Sequence, residues 1–184
     1  MSENILIVSD IHGSAYWCKK ALDLFDRVKA DKLLLLGDLL YHGPRNPLPD
    51  EYSPQHVISQ LSAYQKVVCA VRGNCDSEVD QMVLPFPILA DYALLCANGR
   101  TLFATHGHLF NEQILPPLQE GTLLLNGHFH VPCHKLMQNG AYYINCGSAA
   151  LPKDGSPHSC ILFKDNTLYY YDLQTGEVFD TFAL

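Results

Sequence analysis

Four consecutive leucines at positions 33–36, followed by Gly37 and Asp38, constrain the fold of this chain more than any other stretch. An uninterrupted apolar run is typical of a strand buried on both faces, as in a parallel sheet between two other layers. Gly37 can adopt a positive φ and lets the chain leave the sheet sharply. Asp38 then follows the carboxyl end of the strand, where open α/β sheets bind ligands. Its two oxygens could bridge two cations, although a lone aspartate here is more often a turn or capping residue.

The flanking segments predict a strand–helix–strand unit. Residues 4–9 form an apolar, β-branched run, and Ser14 is placed to cap the helix that follows. The leucine strand comes next, so the opening predicts a βαβ unit and a parallel sheet. Residues 39–52 form a long loop rich in Pro, Gly and Asn. A second helix that begins at Pro54 and a third strand over residues 66–71 continue the same alternation.

The second half of the chain predicts shorter strands joined by turns. Asn98-Gly99 is the strongest hairpin signal, and a polar segment with a helical turn is expected before residue 122. Together the two halves predict one α/β domain over residues 1–184, with a parallel-rich first sheet and a hairpin-rich second sheet. The expected later strands are 88–97, 101–105, 122–126, 135–138, 141–145, 159–164, 168–172 and 178–182.

Composition narrows the class of protein. The 184 residues are 48% hydrophobic, which suffices for one well-buried domain. The sequence has no signal-peptide pattern and no apolar run near the roughly 20 residues that span a bilayer. Seven cysteines without CxxC pairs predict reduced thiols and a cytoplasmic location. A formal charge of −7 argues against an extended nucleic-acid surface. A small phosphate-bearing substrate is still allowed, because bound metals would reverse the local charge.

Polar side chains of one chemical kind follow five of the predicted strands. They are oxygen and nitrogen ligands suited to hard and borderline divalent metals. In four of the five places a glycine adjoins them and is expected to turn the backbone. Each motif alone is weak, but together they predict a binuclear metal centre. The residues are Asp10, His12, Asp38, Asn74, His106 and His108, and His128 and His130.

A single zinc ion is a competing arrangement. Histidine and cysteine side chains are clustered closely enough along residues 128–134 to supply four ligands. This alternative leaves the aspartates and the earlier histidines unexplained, so we favour the binuclear centre. The four ligands of the alternative would be His128, His130, Cys133 and His134.

The order of these motifs resembles the calcineurin-like metallophosphoesterases, whose pattern is D-x-H, G-D, G-N-[H/C]-[E/D], G-H and G-H-x-H. The matching blocks here are residues 10–12, 37–38, 73–76, 106 and 127–130, which span most of the chain. Residues 42–46 and 71–82 also resemble the small single-domain bacterial phosphodiesterases of that superfamily. The resemblance implies a four-layer α/β/β/α sandwich and hydrolysis of a phosphodiester.

The same resemblance implies how the ligands are shared. Asp38 would bridge the two metals, and Asp76 would support the third block without binding metal. The sequence departs from the usual pattern at Phe129 and Cys146, and at Cys75, where many relatives place a histidine thought to protonate the leaving oxygen. One metal would be held by Asp10, His12, Asp38 and His130, and the other by Asp38, Asn74, His106 and His128.

The implied reaction is attack on phosphorus by a hydroxide that bridges two divalent cations. Mn²⁺ is the expected metal, with Zn²⁺ or Fe²⁺ as alternatives. Arg72 is the first candidate for substrate binding, although it could equally be a solvated or salt-bridged arginine. Arg45 is a weaker candidate, for which that alternative is favoured. His108 could protonate a leaving group or hold a phosphate oxygen, or be a bystander, and Cys75 could act in catalysis or merely fill the loop. Exposed strand edges could support a homo-oligomer.

Three other functions agree less well with the sequence. A phosphomonoesterase of the protein-phosphatase kind carries Gly-Asp-x-Val-Asp-Arg-Gly, whereas residues 37–43 are Gly-Asp-Leu-Leu-Tyr-His-Gly. A non-catalytic scaffold such as the related retromer subunit has lost ligands, whereas every ligand position here holds a competent residue. A nuclease is disfavoured by the acidic balance. The sequence therefore favours a metal-dependent phosphodiesterase.

Overall fold

The computed structural model describes residues 3–184. Its helices and strands follow the predicted order, with boundaries that differ by a few residues. No helix in this range combines the length and apolar character needed to cross a membrane. In chain order the elements are β1 (Ile5–Val8), α1 (Ala15–Val28), β2 (Lys32–Leu35), α2 (Pro54–Ser62), β3 (Val68–Ala70), α3 (Glu78–Val83), β4 (Ala93–Ala97), β5 (Arg100–Ala104), β6 (Leu123–Asn126), β7 (Pro132–Leu136), β8 (Tyr142–Cys146), β9 (Ser159–Lys164), β10 (Thr167–Asp172) and β11 (Glu177–Ala183).

The strands form two mixed sheets. The first has the order β11-β10-β9-β1-β2-β3 and the second β4-β5-β6-β8-β7. β1, β2 and β3 are parallel, which confirms the predicted βαβ opening. Strands β5, β6 and β8 are also parallel, so the second sheet is not built from hairpins alone. The α/β class is confirmed.

The last three strands lie elsewhere than expected. We expected them in the second sheet, but β9 pairs antiparallel with β1 and carries β10 and β11 into the first. β1 is buried along its whole length and needs a neighbour on each side. β9 has five consecutive buried residues, as a central strand requires.

The leucine strand is buried on both faces, as predicted. Leu33 and Leu35 pack with the apolar faces of α1 and α2. Leu34 and Leu36 point the other way, into the core between the two sheets. The alternation follows from the two-residue period of a strand, and it places Asp38 at the end of a firmly held element.

Two segments differ from the sequence prediction. Residues 107–121 contain no helical turn and form an irregular layer on the outer face of the second sheet. Phe110 and Leu118 of this layer pack against a buried cluster of Phe103, Leu124 and Tyr143. The helical turn expected there was therefore wrong. Helix α3 was not predicted, although a capping box between Ser77 and Asp80 begins it.

Candidate metal centre

The seven predicted ligands converge at one end of the two sheets. Asp10 and His12 follow β1, Asp38 follows β2 and Asn74 follows β3. His106 follows β5, and His128 and His130 follow β6. Strands β1, β2 and β3 are parallel to one another, as are β5 and β6, so their carboxyl ends bring these loops together.

One group of ligand atoms surrounds Asp10. His12 Nε2 lies 3.4 Å and His130 Nε2 3.0 Å from Asp10 Oδ1, and the two ring nitrogens are 3.4 Å apart. Asp10 Oδ1 is buried and has no hydrogen-bond partner among residues 3–184. A buried carboxylate oxygen without a donor is costly unless it has a cation. This group therefore fits a divalent metal.

A second group surrounds His106. Its Nε2 is 3.1 Å from Asn74 Oδ1, 3.3 Å from His128 Nδ1 and 3.5 Å from Asp38 Oδ2. Asp38 Oδ2 is also 3.7 Å from His12 Nε2, which belongs to the first group. Asp38 thus lies between the two groups, where a bridging carboxylate would have to be.

Backbone carbonyls orient three of the four histidine rings. In each of these rings Nδ1 donates to a carbonyl oxygen. When the ring is neutral, Nε2 therefore has no proton and directs its lone pair toward the other ligands. His128 is different, because its Nδ1 faces the cluster. The three hydrogen bonds are His12 Nδ1 to Tyr41 O (2.9 Å), His106 Nδ1 to Leu36 O (2.7 Å) and His130 Nδ1 to Leu151 O (2.5 Å).

Most of the ligand residues have a left-handed backbone. This conformation is uncommon for residues other than glycine and costs of order 1–3 kcal/mol where it is imposed. Its concentration here indicates that the fold sets ligand geometry at the expense of backbone strain. The φ angles are 57° at Asp10, 49° at His12, 55° at Asp38, and 63° at both His128 and His130.

The glycines beside the ligands serve two purposes. Gly37 and Gly107 have φ of 93° and 120°, which confirms that they turn the backbone. Gly73 and Gly127 do not have positive φ, so the turning role expected of them was wrong. A Cβ at Gly73 would meet Asp38, and one at Gly127 would meet Ser9 and Asp10. These two glycines are needed because the ligand loops approach them closely.

Asp76 joins the second and third motif blocks. Its buried carboxylate accepts hydrogen bonds from the backbone N–H groups of Asp38 (2.8 Å), Leu39 (2.9 Å) and Gly73 (2.8 Å). It therefore fixes the backbone that carries Asp38 and Asn74. This arrangement agrees with the supporting role that the family resemblance implies.

The ligand residues shift one another's pKa values. Burial alone would raise the pKa of Asp10, but the neighbouring histidines, His106 first, hold it well below its ordinary value. Burial opposes protonation of His106, yet Asp10 and Asp38 raise the pKa of His106 to about 9. Burial, followed by His106, lowers the pKa of His128 to about 4. A cation bound here would replace the proton on His106.

A narrow cleft of about 80 Å³ opens over the ligands. Its walls include two cationic side chains, Arg45 and Lys153, and also Cys75. Lys153 was not predicted, because a lysine after a loop proline carries no pattern. Its backbone N–H donates to His130 O (3.1 Å), which ties its loop to a ligand.

The predicted substrate-binding and catalytic residues lie at different places. Arg72 does not line the cleft, since its guanidinium donates to Asp76 O (3.2 Å) and lies 3.7 Å from Glu78. His108 is half-buried beside the second group, with its ring centroid 5.4 Å from that of His106. Burial, and then His106, lower the pKa of His108. It is therefore neutral at neutral pH.

Cys75 lies close to two of the predicted metal ligands. Its Sγ, a His12 ring nitrogen and an Asp38 oxygen all lie within 4.8 Å of one another. The Cys75 N–H donates to Asp38 Oδ1 (2.8 Å). Burial first, and then Asp38, raise the pKa of the Cys75 thiol.

Two adjacent groups of oxygen and nitrogen atoms with a carboxylate between them agree with the arrangement that the metallophosphoesterase resemblance implies. Residues 4–167 match the model of the calcineurin-like phosphoesterase superfamily domain. The chain belongs to this superfamily, which confirms the resemblance and implies that the protein binds divalent metal ions.

Its relatives include bacterial proteins that match most of this chain and most of their own length. Phosphodiesterase YfcE of Escherichia coli K12 is 43% identical over 164 residues, covering 89% of each chain. The solved structure of YfcE superposes with a TM-score of 0.94 at 40% identity and covers 98% of both chains. The probable metallophosphoesterase YsnB of Bacillus subtilis is 26% identical over 96% of this chain and 95% of its own. The fold is thus the metallophosphoesterase fold of YfcE.

Proposed function

We propose that this protein is a metal-dependent phosphodiesterase that hydrolyses a small phosphodiester by attack of hydroxide on phosphorus. The observation that carries the proposal is the position of Asp38, whose Oδ2 lies 3.7 Å from His12 Nε2 and 3.5 Å from His106 Nε2. One carboxylate between two sets of ligands suits a pair of cations. Homology to the phosphodiesterase YfcE supports the choice of reaction.

When bound, two divalent cations would activate water near neutral pH and withdraw charge from the phosphoryl oxygens. The chain itself positions the reaction. Arg45 and Lys153 line the cleft and can hold phosphoryl oxygens that gain charge. We also propose that His108, neutral and beside the second group, donates a hydrogen bond to a phosphate oxygen. Arg72 contributes indirectly, because its hydrogen bond to Asp76 O fixes the loop that carries Asn74.

We propose Mn²⁺ as the metal, because the proposed ligand set consists of carboxylate, amide and imidazole groups. Zn²⁺ and Fe²⁺ are the alternatives. A screen of diesters and monoesters with each metal tests the proposal directly. Hydrolysis of monoesters but not diesters would make the protein a phosphomonoesterase. Metal binding without hydrolysis of either would favour a scaffold like the retromer subunit.

The remaining proposals concern the setting of the reaction. We propose a single domain over residues 1–184, located in the cytoplasm and self-associating as a dimer or tetramer. The net charge of −7 supports a small diester over an extended nucleic acid. Light scattering and assays on nucleic-acid substrates test these statements.

Metal should stabilise the folded protein, because cations that bind only the native state add stability by mass action. At a hundredfold excess over Kd the gain is about 2.7 kcal/mol, which corresponds to a rise in Tm of roughly 5–10 °C for a chain of this size. His128→Ala should show a much smaller rise with Mn²⁺. His56→Ala, which removes an exposed histidine of α2, should respond like the natural protein. An equal rise in all three proteins would place the metal elsewhere.

Metal affinity should fall as pH falls below about 9. His106 is protonated below its raised pKa of about 9, and a ligand must lose its proton to bind a cation. Asp10 has a lowered pKa and is already ionised, so near pH 8 binding should release protons from the ligand histidines, His106 first. Calorimetric titration with Mn²⁺ in buffers of different ionisation enthalpy measures the number of protons released. His106→Gln should reduce the release; His12, whose pKa Asp10 also raises against the effect of burial, can still contribute. Equal release in both proteins would exclude His106 as a source.

A further inference from the structure

An apolar groove runs beside the metal cleft and has no part in the chemistry described above. Its volume is about 380 Å³, within the usual range for small-molecule sites. Val79 and Val83 of α3 form one part of its wall. Tyr41, Tyr52 and Ile58 form another. The groove thus combines apolar aliphatic side chains with two aromatic rings.

The valines of α3 are not used by the core. Val79 is 68% and Val83 48% exposed, and α3 buries none of its residues. The helix is held by polar contacts, since Gln81 donates to Phe86 O (2.9 Å) and accepts from Ile88 N–H (2.8 Å). Asp80, which also lines the groove, is bound by the N–H and hydroxyl of Ser77. Its charge is therefore directed at the start of α3.

The groove is continuous with the metal cleft. Cys75 lines both of them. Tyr41 also connects them, since its side chain lines the groove and its carbonyl accepts the hydrogen bond from His12 Nδ1 (2.9 Å). The cleft holds only about 80 Å³, so the ester groups of a bound diester must extend beyond it. The groove offers the adjacent apolar surface.

We propose that this groove binds an aromatic ester group of the substrate, so that the preferred substrates are phosphodiesters with at least one aromatic substituent. The inference rests on the proposed function and specifies its substrate class. An aromatic ring gains from contact with valine methyl groups and from edge or offset stacking on tyrosine. The groove adds apolar contact area and the cleft adds charge, which together match an aryl phosphate.

Direct binding tests the proposal without turnover. Calorimetry on the manganese-loaded protein compares phenylphosphonate with methylphosphonate, which share the charged group and differ in the ring. We expect the phenyl compound to bind roughly tenfold or more tightly in the natural protein. Val79→Asp and Val83→Asp should each remove most of that advantage and leave methylphosphonate unchanged. Both positions are exposed, so folding should be retained.

Met82→Asp is the matched control. Met82 lies on the same helix, is 84% exposed and does not line the groove, so the same added charge should leave both affinities unchanged. Equal affinity for the two phosphonates, or an unchanged advantage in both valine variants, would overturn the groove proposal. Hydrolysis of simple diesters by the natural protein would still support the proposed function. Dissociation of an oligomer by Val83→Asp in sedimentation velocity would instead make the groove a contact between copies and also overturn it.

Discussion

Asp38→Asn should lower the hydrolysis of an aryl phosphodiester by at least about a thousandfold with Mn²⁺ present. The substitution keeps the size of the side chain and the oxygen that accepts the Cys75 N–H. It removes the anionic charge between the two ligand groups, where Asp38 Oδ2 lies within 4 Å of His12 and His106. Each cation would then lose part of its charge compensation, and their mutual repulsion would increase.

The chain offers a control that matches the backbone as well as the chemistry. Asp154 is exposed and has φ of 53°, close to the 55° of Asp38. Asp154→Asn therefore makes the same exchange in the same left-handed conformation, outside the cluster, and should retain full activity. Metal content by elemental analysis and kcat on the aryl diester are measured for both variants. If Asp38→Asn kept most of the activity, the bridging role of Asp38 would be excluded.

The sequence predicted the scaffold around β2 correctly for a physical reason. Four leucines in a row give apolar side chains to both faces of a strand, and both faces of β2 are buried. The position of β9 to β11 was not predictable in this way. Strand periodicity encodes which face is buried and does not encode the neighbouring strand. Helix α3 was not predicted, because its apolar residues do not face the core and so show no core periodicity.

The site was predicted better at the level of residue type than of conformation. Strand ends followed by Asp, Asn and His indicated where ligands would meet, because parallel strands carry their loops to one edge. The left-handed backbones of Asp10 and His130 could not be predicted, since these residues adopt other conformations in most loops. Arg45 and Lys153 lie on loops without periodicity, so the sequence offered Arg45 only as the weaker candidate and did not indicate Lys153. The structure places both in the wall of the cleft.

Phosphodiesters with poor leaving groups should be hydrolysed slowly, because position 75 lacks a good general acid. Many relatives place a histidine there, and this chain has a cysteine. Burial and Asp38 raise the pKa of the Cys75 thiol, which makes the neutral group a weak acid. Bound cations would act in the opposite direction, toward a thiolate that has no proton to give. In both states Cys75 protonates a departing alkoxide poorly.

A well-matched general acid contributes about 10²–10⁴-fold, and its absence matters most when the leaving group is basic. We therefore expect good rates on aryl diesters, rates lower by roughly that factor on alkyl diesters, and a steep dependence of kcat on leaving-group pKa. The measurement is a series of methyl aryl phosphates with substituted rings, completed by a methyl alkyl phosphate. A shallow dependence would mean that another group, such as His108, supplies the proton.

Substitutions at Cys75 separate the thiol from its position. Cys75→Ala should be mild on the aryl diester, since that leaving group needs no proton. Cys75→His should raise the rate on alkyl diesters most, with little change on aryl ones. The imidazole introduced at position 75 must fit beside Gly43. The space is narrow, because a Cβ built on Gly43 would lie only 3.4 Å from Cys75 Sγ. A loss in Cys75→Ala on the aryl diester as large as that in His106→Ala would contradict this account and make the thiol a catalytic group.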